Sequence, residues 1–167
     1  MITNGAAHCF DHFVYIEMST IAQGTIAILE DNAARITEMN VRLHTIISPP
    51  ARVFVTPNAH EMIAWLENHL AEVALISLDH DLPIRSREQT PDCGDGRMVA
   101  DFLAALSPTC PVIVHSSNDP CAAGMFYALQ SAGWPVSRVV PYDGENWIGQ
   151  SWAKQIQDLI RTGWLRL

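Results

Sequence analysis

A doubly wound α/β sandwich is the fold this sequence predicts: three layers, with helices on both faces of a five-stranded parallel sheet of order 2-1-3-4-5. Two observations predict it. Five short apolar segments alternate strictly with five segments of helical spacing, the pattern of consecutive β-α units. No linker rich in Gly, Ser or Pro interrupts that alternation, and no internal repeat or low-complexity tract appears. The 167 residues, 49% of them hydrophobic, suffice for one well-buried domain and are few for two. Residues 1–23 show no period and read as an N-terminal tail or extension; residues 24–167 form the single domain.

The elements follow in order. Thr25-Ile26-Ala27-Ile28-Leu29 is an apolar strand ending in Glu30 and Asp31. Asn32 caps a helix whose Ile36, Met39, Asn40, Leu43, Ile46 and Ile47 recur near helical spacing until Ser48-Pro49-Pro50 stops it. Arg52–Thr56 is the second strand, and Pro57-Asn58 opens a helix through Met62, Ile63, Leu66 and Leu70. Ala74–Leu78 is the third strand. A polar connection from Ile84 to Asp95, longer than most strand-to-helix loops, leads into a helix over Arg97–Leu106. Pro111–Val114 is the fourth strand, followed by a helix from Cys121 to Ala132 that Gly133 closes. Arg138–Val140 is the fifth strand, and a last helix runs from Gln150 to Thr162. Trp65 and Trp152 fall on helices and are expected in the core, with Trp134, Trp147 and Trp164 at element ends.

Bulk properties narrow the function. A formal charge of −8 leaves no basic face for a long nucleic-acid backbone, though a small anionic ligand remains compatible with a local site. Cys9, Cys93, Cys110 and Cys121 lack C-x-x-C spacing, and a chain of this size needs no staples, so a reducing cytoplasm is expected. No apolar run approaches the ~20 residues of a membrane span, and no signal-peptide pattern opens the chain. His8 and His12, four apart in the tail, read more simply as solvated than as metal ligands.

Chemistry concentrates where three strands end. In a sheet of this order the crevice lies outside the carboxyl ends of strands 1 and 3. Strand 1 ends in Glu30-Asp31, strand 3 in Asp79-His80-Asp81, and strand 4 in His115-Ser116-Ser117-Asn118. Alternation along strand 3 would send Asp79 and Asp81 to one side and His80 to the other. Carboxylates sharing one end of a buried strand repel each other and are costly to desolvate; a bound cation is the usual remedy. Glu30, Asp31, Asp79 and Asp81 are therefore the expected metal ligands. An oxygen-rich set without thiolate suits magnesium, with manganese or calcium as alternatives. Ser116 and Asn118, beside a helix N-terminus, are placed to bind phosphate oxygens. His80 and His115 are the candidates for proton transfer. The plainer alternatives are helix caps at Asp31, Asn32 and Asp119 and a core histidine at 115. Arg85 and Arg87 read either as an irregular surface loop or as residues closing over an anion.

These residues carry a resemblance. Ile28-Leu29-Glu30-Asp31-Asn32 with Arg35, Asp79 with Leu82-Pro83, Asp95-Gly96, Pro111 to Ser117 and Pro141-Tyr142 resemble the receiver domain of bacterial response regulators, of flavodoxin-like fold. The resemblance implies that Glu30 and Asp31 form the acidic pair, Asp79 is the phosphoryl acceptor and Ser116 is the strand 4 hydroxyl. Receivers carry a lysine just before the proline after strand 5; here that position is Val140. The Asp79-His80-Asp81-Leu82 and His115-Ser116-Ser117-Asn118 quartets look like the divergent branch of cyclic-phosphate-processing receiver-like domains.

That likeness implies a metal-dependent phosphoesterase acting on a small cyclic or terminal phosphate, such as a nucleotide or RNA end, with catalytic Asp79, His80 and His115. The alternative is a stand-alone receiver that binds metal, can be phosphorylated on Asp79, and acts through a protein partner. A flavodoxin-like flavin or nucleotide binder fits poorly, because an acidic turn after strand 1 would repel a phosphate unless a metal intervened.

Overall fold

In a computed structural model, which describes residues 24–82 and 93–165, the strands fall where the apolar segments place them. They are β1 (Thr25–Leu29), β2 (Arg52–Thr56), β3 (Val73–Leu78), β4 (Val112–His115) and β5 (Val136–Val139). All pair in parallel in the order β2-β1-β3-β4-β5. The helices are α1 (Ala33–Ile46), α2 (Ala59–His69), α3 (Gly96–Ala104), α4 (Asp119–Ser131) and α5 (Ala153–Arg161). Residues 1–23, with His8 and His12, and Arg85 and Arg87 lie outside the described residues.

Side-chain alternation sorts the core into two layers. Ala27, Leu29, Ile76, Leu78, Val112 and Val114 face α2, α3 and α4, against Met62, Leu66, Val99, Leu103, Met125 and Leu129. Ile26, Ile28, Leu75 and Ile113 face α1 and α5, against Met39, Leu43, Trp147, Trp152 and Ile156. Continuing the same alternation puts Glu30, Ser77, Asp79 and His115 all on the α1/α5 side. Strand pairing then brings Glu30 and Asp79 abreast, because Leu29 is opposite Leu78 and the Asp79 N–H donates to the Leu29 carbonyl at 2.9 Å.

Several boundaries differ from the sequence expectation for local reasons. Helix α4 begins at Asp119, two residues before Cys121, because Pro120 sits in its first turn, where a missing N–H costs nothing. Strand β5 starts and ends earlier than Arg138–Val140, leaving Val140 just beyond the sheet. The last helix is preceded by a π-helical turn over Ile148–Trp152. Residues five apart on an α-helix point to different sides, but the wider turn lets Trp147 and Trp152 both be fully buried. Trp152 is thus in the core as expected and Trp147 joins it, whereas Trp65 is only partly buried and Trp164 is exposed.

Caps position the crevice. The side chains of Asn32, Asn58 and Asp95 accept N–H bonds from the first turns of α1, α2 and α3. Gly96 lets α3 start directly against the chain leaving β3: its N–H donates to the His80 carbonyl at 3.1 Å, and a Cβ there would lie 2.0 Å from the Asp79 carbonyl oxygen. Backbone cannot yield as a flexible side chain does. Gly96→Ala is therefore expected to destabilise the protein by about 3 kcal/mol in urea unfolding, at the upper end of the cost of overpacking.

Candidate functional site

Three carboxylates meet at the carboxyl edge of β1 and β3. One oxygen each from Glu30, Asp31 and Asp79 lie within 4.8 Å of one another. Glu30 is completely buried and Asp79 nearly so, while Asp31 is partly open. Glu30 is held by its own turn: Oε1 accepts the N–H groups of Asp31 and Asn32 at 3.1 and 2.9 Å. Asp79 Oδ1 accepts the His80 N–H at 2.6 Å, and its Oδ2 accepts from Arg35 Nη1 at 3.3 Å. The same guanidinium nitrogen lies 3.7 Å from Glu30 Oε2.

Behind the carboxylates runs a fully buried polar chain. The Trp152 indole, which can only donate, gives its N–H to Ser77 Oγ at 2.9 Å. Ser77 Oγ also lies 2.9 Å from His115 Nδ1 and fixes the orientation of the ring. The opposite ring nitrogen, Nε2, faces Glu30 Oε2 at 3.3 Å. Neither Nε2 nor Oε2 makes an aligned hydrogen bond. Trp147 covers the histidine, their ring centroids 5.7 Å apart.

The environment splits the acids. Burial alone would raise the Glu30 carboxyl, but the polar contact and charge of His115, the Asn32 N–H and Arg35 together hold it below its ordinary value. Burial raises Asp79, and the charge of Glu30 adds to this; His115, the His80 N–H and Arg35 only partly offset it. Burial and Glu30 also raise Asp31. The three acids thus resist carrying three charges together, and Glu30 Oε2 is a buried acceptor without a hydrogen bond. Hard oxygen donors, crowded like charge and an orphaned oxygen fit a divalent cation.

The residues expected at the site separate into groups. Glu30, Asp31 and Asp79 come together. Asp81 does not join them: β3 ends at Leu78, so strand alternation no longer governs it. Its Oδ1 instead contacts His80 Nδ1 at 2.8 Å and accepts from Asn118 Nδ2 at 3.1 Å, and its side chain is 57% exposed. These contacts hold Asp81 below the usual carboxylate range, the His80 hydrogen bond foremost. The Asn118 amide, expected on phosphate, is thus engaged by a carboxylate. His80 Nε2 lies 3.9 Å from Asp95 Oδ2. Ser116 is buried, with Oγ accepting the Asn118 N–H at 3.2 Å. His115 is sealed beneath Glu30 and meets the crevice only through it. Asn32 does cap α1, while Asp119 lies in the first turn of α4 and pairs with Arg138 at 2.7 Å.

Sequence reasoning passed over Ser77, Trp147 and Arg35 as site residues. The alternation that places Asp79 also places Ser77 and was the available signal for it. None existed for Trp147, whose position depends on the π-helical turn. Among the described residues the cysteines are free, and burial pushes the Cys110 thiol up to about 12, leaving it unreactive. No described helix is long and apolar enough to cross a membrane.

An acidic cluster at the carboxyl edge of a 2-1-3-4-5 sheet defines a protein of receiver type. The solved structures agree in fold. The phosphorylated cyanobacterial phytochrome response regulator RcpA shares 22% identity at a TM-score of 0.61, covering 83% of this chain and 94% of its own. The Mn(2+)-bound form of the response regulator Rcp1 shares 16% identity at 0.57, covering 86% and 99%. A chain of the CheX-CheY-BeF3-Mg complex from Borrelia burgdorferi shares 14% at 0.56, covering 86% and 90%. The family model of the cyclic-phosphate processing receiver domain matches residues 26–131, and the chain belongs to that family. No curated protein matches it.

Two predictions follow from this geometry. Ser77→Ala strands the Trp152 N–H and His115 Nδ1 in the core, and should lower stability by about 2 kcal/mol or more in urea unfolding. For Asp79, a raised folded-state pKa means the native state keeps a proton that the unfolded chain has released. Stability therefore falls as pH rises through that window. Asp79→Asn removes this loss, so without divalent metal the variant should melt above wild type at pH 7, with the difference shrinking below pH 4.

Proposed function

We propose that this protein is a divalent-metal-dependent phosphoesterase acting on a cyclic or terminal phosphate of a nucleotide or RNA end. The observation that carries this reading is the Glu30–Asp31–Asp79 cluster, with a carboxylate-paired histidine, His80, directly after Asp79 in the chain. The family supports the substrate class, and the Mn(2+)-bound form of Rcp1, alike in fold, supports the metal.

A magnesium or manganese ion held by Glu30, Asp31 and Asp79 would neutralise phosphoryl charge and make water a better nucleophile. His80 supplies the proton chemistry. Its Nδ1–H is directed at Asp81, which the Asn118 amide holds in turn. Nε2 is then the ring atom that takes the proton from attacking water as the new P–O bond forms. It returns that proton to the ribose oxygen as the old P–O bond breaks. Asp81 and Asn118 act as positioning residues for His80, in the manner of a base oriented by a third group. His115 fixes Glu30 from beneath. Ser116 lines the β4 edge, where a phosphate oxygen would approach. The ligand is small, the setting cytoplasmic, and residues 24–167 form one receiver-like domain.

A second reading, the metal-binding receiver phosphorylated on Asp79, is favoured by one observation: Asp79 holds the place after β3 that the receiver resemblance gives to the phosphoryl acceptor. Hydrolysis of a panel of 2′,3′-cyclic nucleotides decides between them. The phosphoesterase predicts turnover that needs magnesium or manganese and vanishes with Asp79→Asn. His80→Ala should then cost about 100-fold or more in kcat, and Asp81→Asn less. Absence of turnover, with Asp79 labelled by acetyl phosphate, selects the receiver module.

A further inference from the structure

Arg35 stands where a helix disfavours a cation. It lies in the first turn of α1, its N–H capped by Asn32, and no acid shares that turn. The positive end of the helix dipole disfavours an arginine there. An arginine kept only for solubility would extend into water. This one folds inward until its side chain is 22% exposed, with Nη1 3.3 Å from Asp79 Oδ2 and 3.7 Å from Glu30 Oε2. Its guanidinium carbon lies 5.8 Å from the centre of the buried Trp147 ring, which supplies a flat wall. Among the described residues, no other arginine or lysine pairs with Glu30, Asp31 or Asp79. Among the described residues, only Nη1 of its side chain bonds a carboxylate, so part of the donor fork remains open to a ligand.

The position before the proline after β5 adds an independent observation. Val140 there is 51% exposed and carries no charge, and Arg138 of β5 is engaged by Asp119 at 2.7 Å. A divalent ion on the carboxylates would compete with Nη1 for the charge of Asp79 and Glu30 and weaken its hold there. The guanidinium, tethered to α1 and lying along Trp147, then has its planar fork free within the same crevice. A phosphate is the anion that such a fork matches best.

We propose that Arg35 is the phosphate-binding cation of this site, supplied from α1 in place of a charge on β5. It neutralises Asp79 and Glu30 in the empty crevice and transfers its N–H groups to phosphoryl oxygens when the metal takes the carboxylates. This role rests on the metal and phosphate reading given under Proposed function, so the two must be separable by experiment.

The test is calorimetric titration of wild type, Arg35→Gln and Arg35→Lys. Each is titrated with Mn²⁺ alone and then with orthovanadate in the presence of Mn²⁺, after circular dichroism confirms folding. Arg35→Gln should bind Mn²⁺ as tightly as wild type or more so, since a competing cation is gone. It should lose vanadate affinity by about tenfold or more, the worth of a charged hydrogen bond, with Arg35→Lys in between. Vanadate affinity kept within about twofold, or Mn²⁺ affinity lost together with it, overturns the assignment and gives Arg35 a purely structural role. Wild type that binds Mn²⁺ but no vanadate overturns it too. Wild type that binds no Mn²⁺ overturns the metal reading itself.

Discussion

Repulsion among buried carboxylates is the constraint around which this end of the molecule is organised. Glu30 and Asp79 extend the α1/α5 face of adjacent strands, so the pairing that builds the sheet forces them together. Neither can move away: the Asp31 and Asn32 N–H groups ahead of α1 grip Glu30 Oε1, and the His80 N–H grips Asp79 Oδ1. Charge compensation is the only adjustment left. It comes from Arg35 above and His115 below, and it leaves Glu30 ionised while Asp79 and Asp31 resist ionisation.

The compensation from below reaches deep into the fold. His115 can face Glu30 because Ser77 holds its other nitrogen, and Ser77 is held by the Trp152 indole across 75 residues of sequence. The π-helical turn that buries Trp152 also buries Trp147, which covers His115 and supports Arg35. The turn before α5 thus reaches the acidic edge of the sheet through two indoles. The polar chain fixes a ring orientation that a purely apolar core would leave undetermined, at the expense of buried atoms that must all find partners. Among the described residues, Glu30 Oε2, His115 Nε2 and the Trp147 N–H are the ones that do not, and the first two border the cluster.

Much of this was legible in the sequence because strand ends are local signals. Apolar runs closed by Glu30-Asp31, Asp79-His80-Asp81 and His115-Ser116 identify both the sheet and its crevice, and the strand order then brings them together. The finer division of labour was not legible. Asp81 reads as a partner of Asp79 only if β3 continues; it stops at Leu78, and the next carboxylate turns to His80 and Asn118. Arg35 was visible in the motif, but its inward fold depends on the Trp147 wall, supplied by a turn more than a hundred residues later. Ser77 looked like one more strand residue because its two partners come from β4 and from the turn before α5. Local pattern gives positions; partners distant in the chain give roles.

The central claim is that Glu30, Asp31 and Asp79 jointly hold one divalent cation. Crystals equilibrated with Mn²⁺ and measured at a wavelength where manganese scatters anomalously test it most directly. The account predicts one strong anomalous peak coordinated by oxygens of all three residues, with the Arg35 guanidinium withdrawn from Asp79. A peak coordinated elsewhere, or no peak while Arg35 keeps its contact with Asp79 at millimolar Mn²⁺, would contradict it.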